Sequence, residues 1–333
     1  MATIKDVAKR AGVSPSTASR AMHDSPLISE ETKARVKKAM TELDYSPNFV
    51  AQNLANQTSN TLGVVLPARE EDVGDNPFFI QIIQGLASIC NAHDYLVSVA
   101  SGQTSAELIK NIETMIKRGN ITRFVFVYSQ ADDPVLEFVK RQKHVRYVMI
   151  GTPYTEKETL YHVDNDNYLA GYDAACFLLD KGYETIIYAY TDLAENVQNA
   201  RFKGYEAAVK ESGRKSQAVC FAATRADEKK DRELLQKALP KDVKKVAILA
   251  CDDNLALALQ HLCGLEEEAI AVMGFNNSAL AKLARPALTS VEIFPRFLGS
   301  EAAALAIKSD TLKLESNAVI VPHKIIERES TKI

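Results

Sequence analysis

The sequence predicts a small all-α head joined by a short linker to a larger α/β core built on parallel sheets. Three features of the 333-residue chain predict it. Residues 1–46 hold three short amphipathic stretches, each preceded by Thr or Ser, with a Gly-Val step between the first two. Residues 47–60 contain VAQNLANQ, a run too short to form a stable helix on its own. From residue 61 onward, short apolar runs alternate with segments of helical period, the rhythm of repeated βα units.

In the head, Thr3 is placed to cap a first helix, and Asp6 sits three residues on, as in a capping box. Val7, Ala8 and Ala11 form its apolar face, and Lys5, Lys9 and Arg10 point elsewhere. Gly12 supplies the left-handed residue that ends the helix. Ser14 caps a second helix with Pro15 at its first position, where a missing N–H costs nothing. Ser16, Thr17, Ser19 and Arg20 lie on this helix, with Ala18 and Met22 as packing positions. Ser29 caps a third helix; Glu30 and Glu31 suit its positive end, and Val36, Ala39, Met40 and Leu43 form its stripe. A helix, a Gly-containing turn and a second helix make the helix-turn-helix pattern, whose second helix reads a DNA groove.

In the core, TLGVVLP, YLVSVAS, RFVFVYS, VRYVMIG, TIIYAYT, QAVCFAA, KVAILAC and AIAVMGF read as strands, with VIVPHKIIER as the last. PFFIQIIQGLASICNAH, ELIKNIETMIKRG, DPVLEFVKRQ, NYLAGYDAACFLLDKG, NARFKGYEAAVKESG, KDRELLQKAL and NLALALQHLCG read as helices between them. Such alternation implies parallel sheets covered by helices on both faces. No dinucleotide fingerprint, P-loop or nucleophile elbow stands in the chain, so the pattern fits an enzyme or a binding protein equally. Asp252 and Asp253 are adjacent, and neighbours on a helix or strand point apart, which argues against a cooperating carboxylate pair.

The net charge of −3 carries no sign of nucleic acid, but residues 1–60 hold eight Lys and Arg against six Asp and Glu. The five cysteines are scattered, and no CxxC occurs, as for reduced thiols in a cytoplasmic protein. His261 and Cys263 near the two aspartates match no metal template, so no metal and no cofactor is expected. No signal peptide or long apolar run predicts export or membrane insertion.

IKDVAKRAGVS, the TASR of the second helix, LDYSPN at 43–48 and VAQNLA at 50–55 together resemble the lactose-repressor (LacI/GalR) family of bacterial transcription regulators. The resemblance implies base contacts from Pro15, Ser16, Ser19 and Arg20, with arginine able to fork onto guanine. It implies phosphate contacts from Thr3, Thr17, Tyr45 and Asn48; Tyr45 also fits a core aromatic with a wet hydroxyl. It further implies that residues 47–60 fold as a hinge helix on DNA, with Val50 and Ala51 on it and Leu54 wedged into a minor-groove base step.

For residues 61–333 the resemblance implies a core like periplasmic sugar-binding proteins: two doubly wound lobes around a ligand cleft, in a homodimer. Lobe 1 would span about 61–163 and 293–315, and lobe 2 about 164–291 and 316–333. Crossings would then fall near Asp164–Asp166, Val291–Phe294 and 314–318, with VIVPHKIIER closing lobe 2. Without an apolar heptad tail, a tetramer built on one is not expected. Phe78 and Phe79 would pack on the effector or in the core, with at least one of them expected in the core. Arg201 would fork onto effector oxygens, and Asp253 would accept sugar hydroxyls, with Asp252 where the family often has Asn. Asp164 and Asp166 either border the cleft or cap a helix. NPFFIQIIQG, VDNDNYLAGYDAA and GFNNSALA resemble the maltose-operon repressors (MalR-like) of Gram-positive bacteria. The expected partners are a pseudo-palindromic operator and a sugar such as maltose, with a phosphoprotein corepressor left open. A sugar-binding protein without DNA function is the alternative from another class, and the intact head argues against it.

Overall fold

A computed structural model describes residues 2–45, 59–68, 77–222, 227–240, 245–264, 270–308 and 316–332. The chain divides into two compact units, Met1–Ser59 and Asn60–Ile333. Asn48, Val50, Ala51 and Leu54, with the hinge role expected of the last three, lie outside the described residues.

The head is built by its caps. Helix α1 (Ile4–Ala11) opens with a complete capping box between Thr3 and Asp6 and closes on Gly12 at φ 67°. That left-handed conformation is nearly free for glycine and turns the chain sharply. Helix α2 (Pro15–Met22) is capped by Ser14, whose hydroxyl accepts the Thr17 N–H at 3.1 Å. Helix α3 (Glu30–Glu42) is capped by Ser29. Val7, Ala8, Ala11, Ala18, Ala21, Val36 and Ala39 form the core, with Met22, Met40, Leu43 and Tyr45 packed around it. Alanines at most of these positions let three short helices approach closely enough to exclude water.

The larger unit begins with β1 (Thr61–Val65), α4 (Pro77–Ala92), β2 (Leu96–Ala100), α5 (Ser105–Gly119), β3 (Arg123–Phe126), α6 (Pro134–Lys140), β4 (Arg146–Ile150) and β5 (His162–Asn165). It continues with α7 (Asn167–Asp180), β6 (Thr185–Tyr190), α8 (Asn196–Glu211), β7 (Gln217–Cys220), α9 (Glu228–Ala238), β8 (Val246–Ala250), α10 (Asp253–Cys263), β9 (Ala271–Phe275), α11 (Ala279–Leu283) and β10 (Thr289–Glu292). It ends with α12 (Pro295–Lys308), β11 (Ala318–Val321) and β12 (Lys324–Ile326). Two six-stranded sheets result, ordered β11-β5-β4-β3-β1-β2 and β12-β10-β9-β8-β6-β7. Each sheet starts at an inner strand and winds both ways, so the two lobes repeat one topology.

The chain passes between lobes at Asn165–Asp166, at Ile293–Phe294 and at Pro322–His323. The third passage corrects the expectation of 314–318. VIVPHKIIER is two strands: Ala318–Val321 pairs with β5 in lobe 1, and Lys324–Ile326 pairs with β10 in lobe 2. Proline has no N–H for a ladder, so pairing stops at Pro322 and the chain changes sheet there. Lobe 1 therefore keeps β5 and β11, and its boundaries move beyond 163 and 315. β12 runs antiparallel, so the second sheet is not wholly parallel.

Two helix pairs repeat one packing device. A Cβ at Gly85 would lie 1.9 Å from the Arg296 carbonyl oxygen, and one at Gly299 would lie 2.2 Å from that of Ile82. In lobe 2, a Cβ at Gly171 would lie 2.0 Å from the Arg201 carbonyl oxygen, and one at Gly204 would lie 1.9 Å from that of Tyr168. Reciprocal glycines thus bring α4 against α12 and α7 against α8 backbone to backbone. The second pair fixes where Arg201 stands.

Candidate nucleic-acid interface and ligand cleft

Ala18 and Ala21 turn one side of α2 into the head core, which leaves Pro15, Ser16 and Arg20 exposed and Ser19 half-buried. Ser16 and Arg20 are four residues apart and share a face. The Ser14 hydroxyl lies 2.8 Å from those of both Ser16 and Thr17, a cluster at the positive end of α2. The acids Glu42, Glu30 and Asp24 pair with Arg10, Lys33 and Lys37, and Arg20 has no carboxylate partner among the described residues. A free guanidinium beside hydroxyls on one exposed helix face suits a groove edge and its phosphates. Thr3 donates its hydroxyl to Asp6 at 2.7 Å, so it is engaged in the capping box. Tyr45 is half-buried against the head core.

In the core, Arg201 on α8 is 4% exposed. Its Nε donates to Asn167 Oδ1 at 3.0 Å, its Nη1 donates to the Cys251 carbonyl at 2.6 Å, and its guanidinium lies 4.3 Å over the Phe275 ring. No partner for Nη2 occurs among the described residues. Burial lowers the Arg201 pKa, opposed among others by Asp252 and Asp164. Asp252 stands at the C-terminal end of β8, the edge at which doubly wound sheets bind ligands. Its Oδ1 caps α10 by accepting the Leu255 N–H at 2.8 Å, and burial raises its pKa. Asn276 follows the end of β9 with φ 101°. Phe78 touches the apolar cores of both lobes, and Phe79, edge-on to it at 5.4 Å, touches that of lobe 1.

Asp253 is not on the cleft surface. It is 1% exposed, its Oδ2 accepts the Ser278 N–H at 2.7 Å, and its Oδ1 accepts the Ser290 hydroxyl at 2.6 Å. A first helical residue turns its side chain back on the sheet, whereas the capping residue before it stands at the strand's end. Asp252, the capping residue, is the less buried member of the pair. Burial raises the Asp253 pKa to about 6. Because the folded-state value lies above the ordinary one, the cost of the charge is full above pH 6 and fades as pH falls toward 4. Asn fits this site, with its carbonyl facing Ser278 and its amide facing Ser290. Asp253→Asn is expected to stabilise the fold at pH 7 relative to pH 5 by about 1 kcal/mol compared with the parent. Urea unfolding at both pH values checks it, and an equal difference at the two would contradict it.

The lobes meet through polar contacts. The Tyr154 hydroxyl donates to the Ala194 carbonyl at 2.7 Å and accepts the Asn196 N–H at 2.9 Å, and Asn196 Nδ2 donates to the Thr152 carbonyl at 3.1 Å. Asn165 Nδ2 donates to the Ile293 carbonyl at 3.1 Å and the Val321 carbonyl at 2.9 Å, tying all three passages together. Asp164 is a buried hub and Asp166 caps α7, and both also line the pocket between the lobes. A pocket of about 400 Å³ is walled by Thr152, Lys157 and Asp164 of lobe 1 and by Tyr168, Asn196 and Lys203 of lobe 2. Asn165, Asn167, Tyr154 and Asn196 were not expected from the sequence, since isolated polar residues near helix starts carry no distinctive spacing. Among the described residues no group of metal-ligating side chains occurs, and no helix is long and apolar enough to cross a membrane.

A family model described as bacterial regulatory proteins, lacI family, matches residues 3–48, and one for a periplasmic binding protein-like domain matches residues 175–331. The HTH-type transcriptional regulator MalR of Staphylococcus xylosus is 32% identical over 99% of this chain and 98% of its own length. The structure of a probable maltose operon transcriptional repressor from Staphylococcus aureus superposes with TM-score 0.76 at 25% identity, over 83% of this chain and 99% of that one. The lac repressor dimer bound to operator and an anti-inducer shares the fold at TM-score 0.78 and 19% identity, over 99% of each chain. With a capped reader helix in the head and two doubly wound lobes behind it, the chain belongs to the LacI family and is a DNA-binding transcriptional regulator.

Proposed function

We propose that this regulator is a homodimeric repressor of genes for maltose or α-glucoside use, released or engaged by a sugar held between the lobes. The observation that carries the reading is Arg201: buried, locked through Nε and Nη1, and with Nη2 unpartnered among the described residues, near Asp252 at the C-terminal ends of the lobe 2 strands. A preorganised donor next to a carboxylate recognises vicinal hydroxyls, and Phe78 supplies an apolar face. The similar structure described as a probable maltose operon transcriptional repressor supports maltose. On DNA, Pro15, Ser16, Ser19 and Arg20 face the bases, Thr17 and Asn48 the phosphates, and Leu54 with Val50 and Ala51 forms the minor-groove wedge. A pseudo-palindromic operator follows from a two-fold dimer.

Thermal unfolding of the full chain with maltose, glucose and cellobiose tests the ligand. Maltose at about 100 times its Kd should add about 2.7 kcal/mol, a rise of several degrees. A rise with another sugar and none with maltose would overturn the maltose assignment.

A further inference from the structure

We propose that Asn167 is a positioning residue that couples the effector arginine to the lobe 1 wall of the cleft. The proposal rests on reading Arg201 as an effector contact. Four buried or half-buried residues form one continuous chain of hydrogen bonds. The Thr152 N–H and hydroxyl both donate to Asp164 Oδ2, at 2.8 and 2.7 Å. Asp164 Oδ1 accepts the Asn165 N–H at 2.8 Å and Asn167 Nδ2 at 3.0 Å. Asn167 Oδ1 then accepts Arg201 Nε at 3.0 Å, and Arg201 Nη1 reaches the end of β8 through the Cys251 carbonyl.

The chain starts on the loop after β4 in lobe 1, passes the first interlobe connection and ends under the cleft of lobe 2. Asp164, Asn167 and Arg201 are each at most 6% exposed. Buried polar chains of this kind hold one geometry, because a half-satisfied state is costly. The Asn167 amide is the only link between the carboxylate and the guanidinium in this chain, and its two ends have opposite roles. A ligand that shifts the Arg201 fork must therefore either pull Asp164 and Thr152 with it or break the amide link. Motion at the effector reaches lobe 1 by that route, and lobe 1 follows the head and linker in sequence.

Asn167→Asp separates the halves of this function. Its carboxylate still accepts Arg201 Nε, but it repels Asp164 where the amide donated. In the full chain, maltose affinity is expected to fall less than about tenfold, while the effect of maltose on operator affinity, ordinarily about 5- to 150-fold, collapses to below about 2-fold. A variant that keeps the parental ratio overturns the proposal, as does one whose ratio falls only in proportion to its sugar affinity. Amide exchange supplies a second readout that needs no sugar and no Asp at 167. Arg201→Lys removes the fork, and exchange at Thr152 in lobe 1 should then rise about tenfold or more with Asn167 present, but show no further rise in an Asn167→Ala background. Unchanged exchange at Thr152 on Arg201→Lys overturns the proposal. If maltose leaves operator binding of the parent untouched, the ligand assignment fails, and the exchange cycle still decides the role of Asn167.

Discussion

Arg201→Ala is expected to abolish the sugar response while leaving operator binding of the unliganded regulator in place. The side chain offers charged donors from a buried, fixed position, and each hydrogen bond from a charged group contributes about 1.5–3 kcal/mol. Loss of two such bonds to a ligand corresponds to at least about 100-fold in affinity. The substitution also strands Asn167 Oδ1 and the Cys251 carbonyl and opens space beside Phe275, so a stability loss of about 1–3 kcal/mol should accompany it. Arg201→Lys keeps the charge without the planar fork and should fail nearly as badly, since a point charge cannot replace two directed donors. Titration calorimetry with maltose reads both variants. Binding within about 2-fold of the parent would remove Arg201 from the site.

Arg20→Ala is the counterpart in the head. A bidentate arginine contact to guanine discriminates by about 1–3 kcal/mol, and a two-fold dimer makes it twice, so operator affinity should fall by about 2–6 kcal/mol. Arg20 is exposed on α2 with no carboxylate partner among the described residues, so the fold should be unaffected. Fluorescence anisotropy against operator and scrambled duplexes distinguishes its roles. A base contact loses the operator and spares the scrambled duplex, whereas a phosphate contact weakens both alike and reduces the salt slope.

The head was the most legible part because its elements are set locally. Thr3 with Asp6, Ser14 with Pro15, Gly12 and Ser29 each act within a few residues, and all four form the caps their positions imply. The alternation of strands and helices in the core was legible for the same reason. What escaped depended on distant partners. β5 is a four-residue HVDN strand that is buried because two neighbours pair with it, and its own sequence is polar. α12 contains Gly299 and an alanine run, which obscures a helical stripe and suits a close helix neighbour. The third interlobe passage required seeing Pro322 as a change of sheet.

The cleft followed the same division. Phe78 packs on the cores of both lobes, Phe79 on that of lobe 1, and Arg201 is fixed by Asn167 and Cys251; their contact with an effector stays with the proposal. Asp253 is turned into the fold rather than outward, because a matched motif carries a position but not the direction of a side chain. Its partners Ser278 and Ser290 lie far along the chain, and nothing local announces them. Leu54 lies outside the described residues, and its wedge role stays with the proposal about DNA.

On the function proposed above, one chain reads DNA with its head and is switched by a sugar in its core. Anisotropy of a labelled pseudo-palindromic operator, titrated with the full-length protein at physiological salt with and without saturating maltose, tests it most directly. Operator binding is expected to be at least about 1,000-fold tighter than binding to a scrambled duplex, and to change about 5- to 150-fold on adding maltose. Equal affinity for operator and scrambled duplex, or one binding curve with and without the sugar, would contradict it.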